Sequence, residues 1–148
     1  MRQSLAILLL AAAISRGAVL DAQESESFKA RLSPVPISVD LVDRVTGSGS
    51  VTAILTGTLL AVTGTFAGLQ SPATVARIHA GERTGVRGQA VLELITTPAA
   101  SGTISGVFEL TPTQLEGLGR GRLYIQLHSE TAPDGNVWGW LLAAGGQR

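Results

Sequence analysis

The sequence predicts an all-β fold, an antiparallel sandwich or barrel, and three observations carry that expectation. Apolar residues come in short runs that alternate with polar ones at a period of two, the spacing of a half-buried strand. Valine and threonine are frequent in those runs, and β-branched side chains suit an extended backbone. Turn formers break the runs, among them 18 glycines and 6 prolines in 148 residues, which leaves little room for helix.

The amino terminus reads differently. Met1-Arg2 is a short positive region, and Leu5 to Ile14 is an unbroken apolar run. That run is too short for a helix to cross a bilayer, which takes about 20 residues. Small residues follow it, so residues 1–22 are expected to be a secretory signal peptide cut after Ala22, with Ala18 as the alternative. Removal of the leader takes away Arg2, Arg16 and Asp21, leaving nine basic and ten acidic residues and a formal charge of −1. No cysteine follows the leader to carry a lipid, and no later segment is apolar enough to span a membrane. The expected product is an exported domain, periplasmic or extracellular, with no membrane insertion after cleavage. Residues 23–27 are polar and acidic and read as a flexible mature terminus; residues 28–144 read as one domain, and 145–148 as a tail.

Within the domain, candidate strands lie at 28–33, 37–43, 48–57, 58–68, 74–80, 87–97, 101–110, 121–128 and 136–143. The clearest is Gly121 to His128, where Leu123, Ile125 and Leu127 share one face opposite Tyr124, Gln126 and His128. One short helix is expected near 111–119. Thr111 stands as its N-cap, Pro112 at the first helical position and Gln114 at the third, which is a capping box. Leu110 and Leu115 are placed for a hydrophobic staple, and Gly117 and Gly119 end the helix early. Thr131 to Asn136 carries Pro133, Asp134 and Gly135, the residues of a tight turn, so the Tyr124 strand and the Trp138–Trp140 strand should form a hairpin.

Several function classes are excluded or left without support. Zero formal charge and a pI near 6.7 argue against a nucleic-acid partner. The absence of cysteine rules out disulfides, thiolate metal sites and thiol nucleophiles. No Gly-x-Ser-x-Gly elbow or phosphate-cradling loop precedes a helix. Glu93 and Glu109 fall in β-rich segments and read as solvent-facing strand residues rather than an acid–base pair.

Two stretches resemble a known family. Val75-Ala76-Arg77-Ile78-His79-Ala80-Gly81, with Gly85 to Leu92 after it, is similar to the A-H-I-H-G…G-x-x-G-x-V-x-x-L stretch of the chordin-type (CHRD) domain. Leu110 to Leu115, then Gly121 to Ser129, resembles its L-T-x-x-Q and G-x-L-Y-V-N-V-H-T, and Pro133 to Leu141 its P-x-G-E-I-R-G-Q-L. The resemblance runs from about Phe28 to Leu142. It implies an immunoglobulin-like or superoxide-dismutase-like β-sandwich, in a bacterial exported single-domain member of a family usually without an assigned activity. The chain departs from the family pattern at Arg77, in place of a histidine, at Gln126, in place of an asparagine, and at Trp138, in place of an arginine. Ser33-Pro34-Val35-Pro36 stands for the family's G-A-Q-E-V-P-P.

The candidate site residues follow from strand faces. His79 shares a face with Arg77 and Val75, and His128 shares one with Tyr124 and Gln126. Were the two faces to meet, two imidazoles would begin a copper or zinc site, and superoxide dismutases of similar fold use a His-x-His strand pair. Zinc, however, takes three or four ligands, Arg77 supplies a permanent cation, and Glu82, Glu130 and Asp134 have no ligand-like spacing. The favoured reading is that each imidazole hydrogen-bonds loop backbone and fixes a strand end; a metal-binding or redox protein using His79 and His128 is the alternative, and no other cofactor is expected. Arg77, Tyr124, Gln126, Trp138 and Trp140 are the binding-surface candidates. With only six aromatic residues to fill the interior, at least one of the two indoles is expected in a core. The function expected is a non-catalytic binding or structural module with a protein or carbohydrate partner.

Overall fold

A computed structural model of the chain describes residues 23–145. The leader read at 1–22 lies outside the described residues, as do the last three residues of the tail. The described residues form β1 (Ser25–Pro34), β2 (Ser48–Thr56), β3 (Leu59–Ala67), β4 (Ala73–Ala80), β5 (Gln89–Thr96), β6 (Gly102–Glu109), β7 (Leu123–Ser129), β8 (Val137–Trp140) and β9 (Leu142–Ala143). One helix, α1 (Pro112–Gly119), lies between β6 and β7. The ladders are antiparallel.

The strand order corrects the expected sandwich. Around the molecule β1 is followed by β2, β3, β6, β5, β4, β7 and β8, and β8 pairs again with β1, closing a barrel of eight strands. Closure depends on two strands that serve different neighbours along their length. Ser25 to Leu32 pair with β2, after which Ser33 and Pro34 pair with Trp138 and Val137 of β8. In β5, residues up to Leu94 pair with β4, and Ile95 and Thr96 pair with β6. The two halves therefore share both corners, and neither half ends in an unpaired edge strand. Strand alternation alone is the same for a sandwich and a barrel, which is why local sequence did not separate them.

Two further expectations change. Residues 23–27 are not a separate terminus, because Ser25, Glu26 and Ser27 pair with Thr56, Leu55 and Ile54. A ladder uses backbone groups only, so polar side chains extend β1 wherever a partner strand is in place. Residues 37–43 are not a strand. They hold a 3-10 turn at Val39–Leu41, tied by Leu41 N–H to Ser38 C=O and Arg44 N–H to Leu41 C=O. Ile37, Val39 and Leu41 alternate as a strand would, but β1 and β8 have already met at Pro34 and Val137, so no ladder is free to receive them. Their backbone groups bond locally instead. Residues 35–46 thus become a strap laid across the outside of the barrel.

The barrel interior is apolar. Leu32, Val51, Leu60, Val62, Ile78, Ile104, Leu123, Ile125 and Leu127 are essentially inaccessible within it. The capping box is formed as read: Thr111 Oγ1 accepts from Gln114 N–H, and Thr111 N–H donates to Gln114 Oε1. It seats α1 so that Leu118 is buried and Leu115 packs on the core beside Leu110. Among the described residues no helix is long and apolar enough to cross a membrane. Leu118→Ala should lower the unfolding free energy by about 2–5 kcal/mol, from lost burial plus the cavity left behind. Thr111→Ala, which leaves one amide uncapped at an exposed site, should cost only about 1 kcal/mol; urea denaturation of both variants checks the order.

Candidate functional site

All seven residues of β7 are buried, which is unusual for a barrel strand. Leu123, Ile125 and Leu127 enter the barrel core, while Tyr124, Gln126 and His128 project outward. Register decides what stands beside them. His79 lies opposite Tyr124, Arg77 opposite Gln126 and Val75 opposite His128. On the other side Trp140 lies opposite Tyr124, and Trp138 opposite Gln126. The seven residues singled out in the sequence therefore share the outer face of three neighbouring strands. Register shifts interrupt β4 beside His79, against β5, and between Ala73 and Val75, against β7. Such bulges re-aim the side chains near them.

The outer face is covered by the loop before β5, the turn before β8 and the strap. Tyr124 Oη donates to the Gly88 carbonyl at 3.1 Å and accepts from Gly88 N–H at 3.0 Å. His79 Nδ1 meets the same carbonyl at 3.0 Å. Gly88 also has no room for a side chain, since a Cβ there would overlap the Ala80 carbonyl. His128 Nδ1 meets the Pro133 carbonyl at 2.8 Å, and the Gln126 amide donates to the Asp134 carbonyl at 3.2 Å. Gly135, at φ 130°, forms the turn that brings these carbonyls down; a Cβ there would stand 2.8 Å from the Gln126 amide nitrogen.

A carbonyl can only accept, so both imidazoles donate from Nδ1, and in the neutral ring Nε2 is then the acceptor. The Gln126 amide nitrogen approaches His128 Nε2 at 3.4 Å. His79 Nε2 and Gln126 Oε1 are buried without a partner. The expectation that each histidine ties loop backbone to a strand end thus matches the geometry. The two rings also converge, with centroids 6.3 Å apart and planes within 29°. Burial holds the His79 pKa below the ordinary imidazole value, and the neighbouring His128, Arg77 and Arg87 add to that, against the opposing bond to Gly88. Arg77 reaches Glu93 at 3.5 Å in a largely exposed pair. Among the described residues no three His, Cys, Asp or Glu side chains gather as a metal cluster.

The aromatic side chains form a cluster of their own. Tyr124 stacks on His79 with centroids 4.9 Å apart and lies 4.5 Å from Trp140 and 5.5 Å from Trp138. The two indoles meet each other edge to face, at 67°, and offer no coplanar platform. Both are half-buried, and Trp138 packs against a second apolar cluster of Val35, Val45 and Ala132. Beside that cluster opens a cleft of about 390 Å³ between the strap and the turn before β8. Its floor is Val35, Ile37, Leu41, Val45 and Ala132, and its charged lining is Arg44, Arg87 and Asp134. The Arg87 guanidinium stands over Trp138, 5.5 Å from the ring centre.

A family model described as the CHRD domain matches residues 28–141. The chain belongs to the CHRD-domain family. Neither a curated protein nor a solved structure gives a significant match.

Sequence reasoning missed the residues that pin the strap of this CHRD domain. Ser129 Oγ donates to Asn136 Oδ1 at 2.8 Å, and Asn136 donates through its amide nitrogen to the Thr46 carbonyl, pinning the strap to the β7–β8 hairpin. Arg87 and Gly88 open the strand expected at 87–97, but β5 begins at Gln89 and both lie in the loop before it. Hydrogen bonds to backbone carbonyls leave no pattern in sequence.

Tyr124→Phe removes the hydroxyl shared by Gly88 N–H and C=O and should cost about 1–3 kcal/mol in urea unfolding. The His79 shift sets a pH dependence. Below about pH 6.5 the unfolded chain binds a proton that the folded imidazole resists, so stability falls as pH drops through that range and is level above it. His79→Gln should flatten this part of the stability–pH curve.

Proposed function

We propose that this CHRD-domain protein is an exported, non-catalytic binding module of a bacterial cell envelope or the extracellular space. Its seat is the cleft between the strap and the β7–β8 turn. The observation that carries this reading is the cleft itself. A preformed hollow of this size with an apolar floor and a few placed charges is the usual form of a small-ligand site. Among the described residues the ion pairs are Arg77–Glu93 and Arg120–Glu116, so Arg44 and Arg87 are not committed to a carboxylate within 4 Å. The chemistry favoured is an apolar body bearing an anionic group, with the body on the Val35–Ala132 floor and the anion at the Arg87 guanidinium. The edge-to-face indoles suit this better than a flat sugar ring, which stacks on an open aromatic face.

Export rests on the leader at 1–22, and the exported form should begin at Gln23, as read by intact-mass spectrometry of the secreted or periplasmic fraction. For the cleft, 1-anilinonaphthalene-8-sulfonate combines fused rings with a sulfonate. It should bind the folded protein saturably at one site, and Arg87→Ala should weaken it about tenfold, the loss of one charge-assisted hydrogen bond. Arg120→Ala, on α1, should leave it unchanged. Equal binding by wild type and Arg87→Ala, or no saturable binding, rejects the cleft as the seat.

A further inference from the structure

The corner that joins β5 to β6 is short. Ile95 pairs with Ser105 and Thr96 with Ile104, and among the described residues no ladder pairs Val107 or Glu109 with β5. Hydrogen-bond parity shows which way those backbone groups point. Thr97 N–H donates to the Thr103 carbonyl at 3.1 Å, so the odd-numbered residues of β6 turn their N–H and C=O toward β5. Leu110 N–H donates to the Thr58 carbonyl at 2.8 Å, so the even-numbered ones serve β3. Val107 and Glu109 are both exposed and hold a free row of ladder groups, a short edge beside the corner.

The side chains mark the same stretch. Ile95 and Val107, 74% and 64% exposed, are the most exposed large apolar side chains on the described strands. Leu92 and Phe108 pack on the core but are only half-buried, whereas Leu60 and Ile78, each paired on both sides, are fully enclosed. A Cβ on Gly106 would stand 2.6 Å from the Phe108 ring and 3.0 Å from Leu94, so the glycine leaves room for this ring beside Leu94. Two glutamates lie on the outer face. Glu93 keeps an exposed pair with Arg77 at 3.5 Å, and Glu109 has no cation within 4 Å among the described residues.

We propose that this edge of β6 receives an extended peptide whose side chains alternate basic and apolar. The peptide adds a strand through the N–H and C=O of Val107 and Glu109, a mode in which main-chain bonds hold the ligand and alternate side chains select it. Successive side chains of a strand point to opposite faces. Its inner residues cover Phe108 and Leu92, and its outer residues bring ammonium groups to Glu109, with their methylene stems along Val107 and Ile95. A second copy of the chain is a poorer occupant. Pairing β6 with its own copy gathers two Glu109 carboxylates on one short ladder, and β6 has no basic residue to offset them. The edge shares no residue with the cleft, so the two readings stand or fall separately.

The probe is a fluorescein-labelled peptide of about six residues, lysine alternating with valine, followed by anisotropy. It should bind saturably, one per chain, and the same peptide with glutamate for lysine should not bind. Glu109→Lys, at an exposed position, replaces attraction with repulsion and should weaken binding about tenfold. Val107→Pro deletes an N–H that faces away from β3, so the variant should fold and still lose binding by at least about tenfold. Amide hydrogen exchange read by NMR needs no variant. The Val107 and Glu109 amides should exchange fast in the free protein, those of Gly106 and Phe108 slowly, and the peptide should protect the first pair. Slow exchange of Val107 and Glu109 in the free protein, no saturable binding, equal binding of the two peptides, or unchanged affinity in either folded variant would overturn the proposal. Protection of those two amides that grows with protein concentration alone would assign the edge to a second copy and overturn it as well.

Discussion

A barrel strand ordinarily turns one face to water, and polar side chains on that face need no partner from the protein. β7 has no such face, because loops close over Tyr124, Gln126 and His128 from outside while the leucines fill the core within. Each outward polar group must then find its hydrogen bond in the covering loops or remain unsatisfied. The Gly88, Pro133 and Asp134 carbonyls meet this demand for the donors, and in doing so they fix where the loops run. The position of the cleft follows from the same requirement. Its wall is the turn that descends to His128 and Gln126, and its floor is the strap that Asn136 pins to that turn.

Two different environments are thereby kept apart on one face. Toward the strap, apolar residues and guanidiniums surround an open hollow. Toward β4, the two imidazoles lie beside Tyr124, each held through Nδ1 to a loop carbonyl. Tyr124 belongs to both, stacking on His79 and touching Trp138, which borders the apolar cluster under the strap.

Much of this was legible in sequence wherever a local rule applies. The alternation from Leu123 to His128 marks a strand and its two faces, Thr111 to Gln114 spells a capping box, and Pro133 to Gly135 spells a turn. Local rules stop where long-range pairing decides. Ile37, Val39 and Leu41 alternate like a strand, and only the meeting of Pro34 with Val137 shows that no ladder awaits them. Convergence of His79 and His128 likewise depends on a register that sets His79 against Tyr124 and on bulges beside both histidines. The alternation names their faces and gives no distance between them. Arg87 reads as the start of a strand, and its place over an indole ring went unread because that contact requires only proximity, which has no repeating spacing.

Closure at Pro34 and Val137 also bears on how the chain folds. β1 is the first strand made and β8 nearly the last, and the barrel has no seal until they meet. Contacts between such distant segments raise the contact order and slow folding, because a long loop must close before any ladder rewards it. Until then the outer edges of β1 and β8 are open templates for another chain. A protein clipped before Val137 would therefore keep most of its core residues while losing its seal, and association between chains would compete with folding of the single chain.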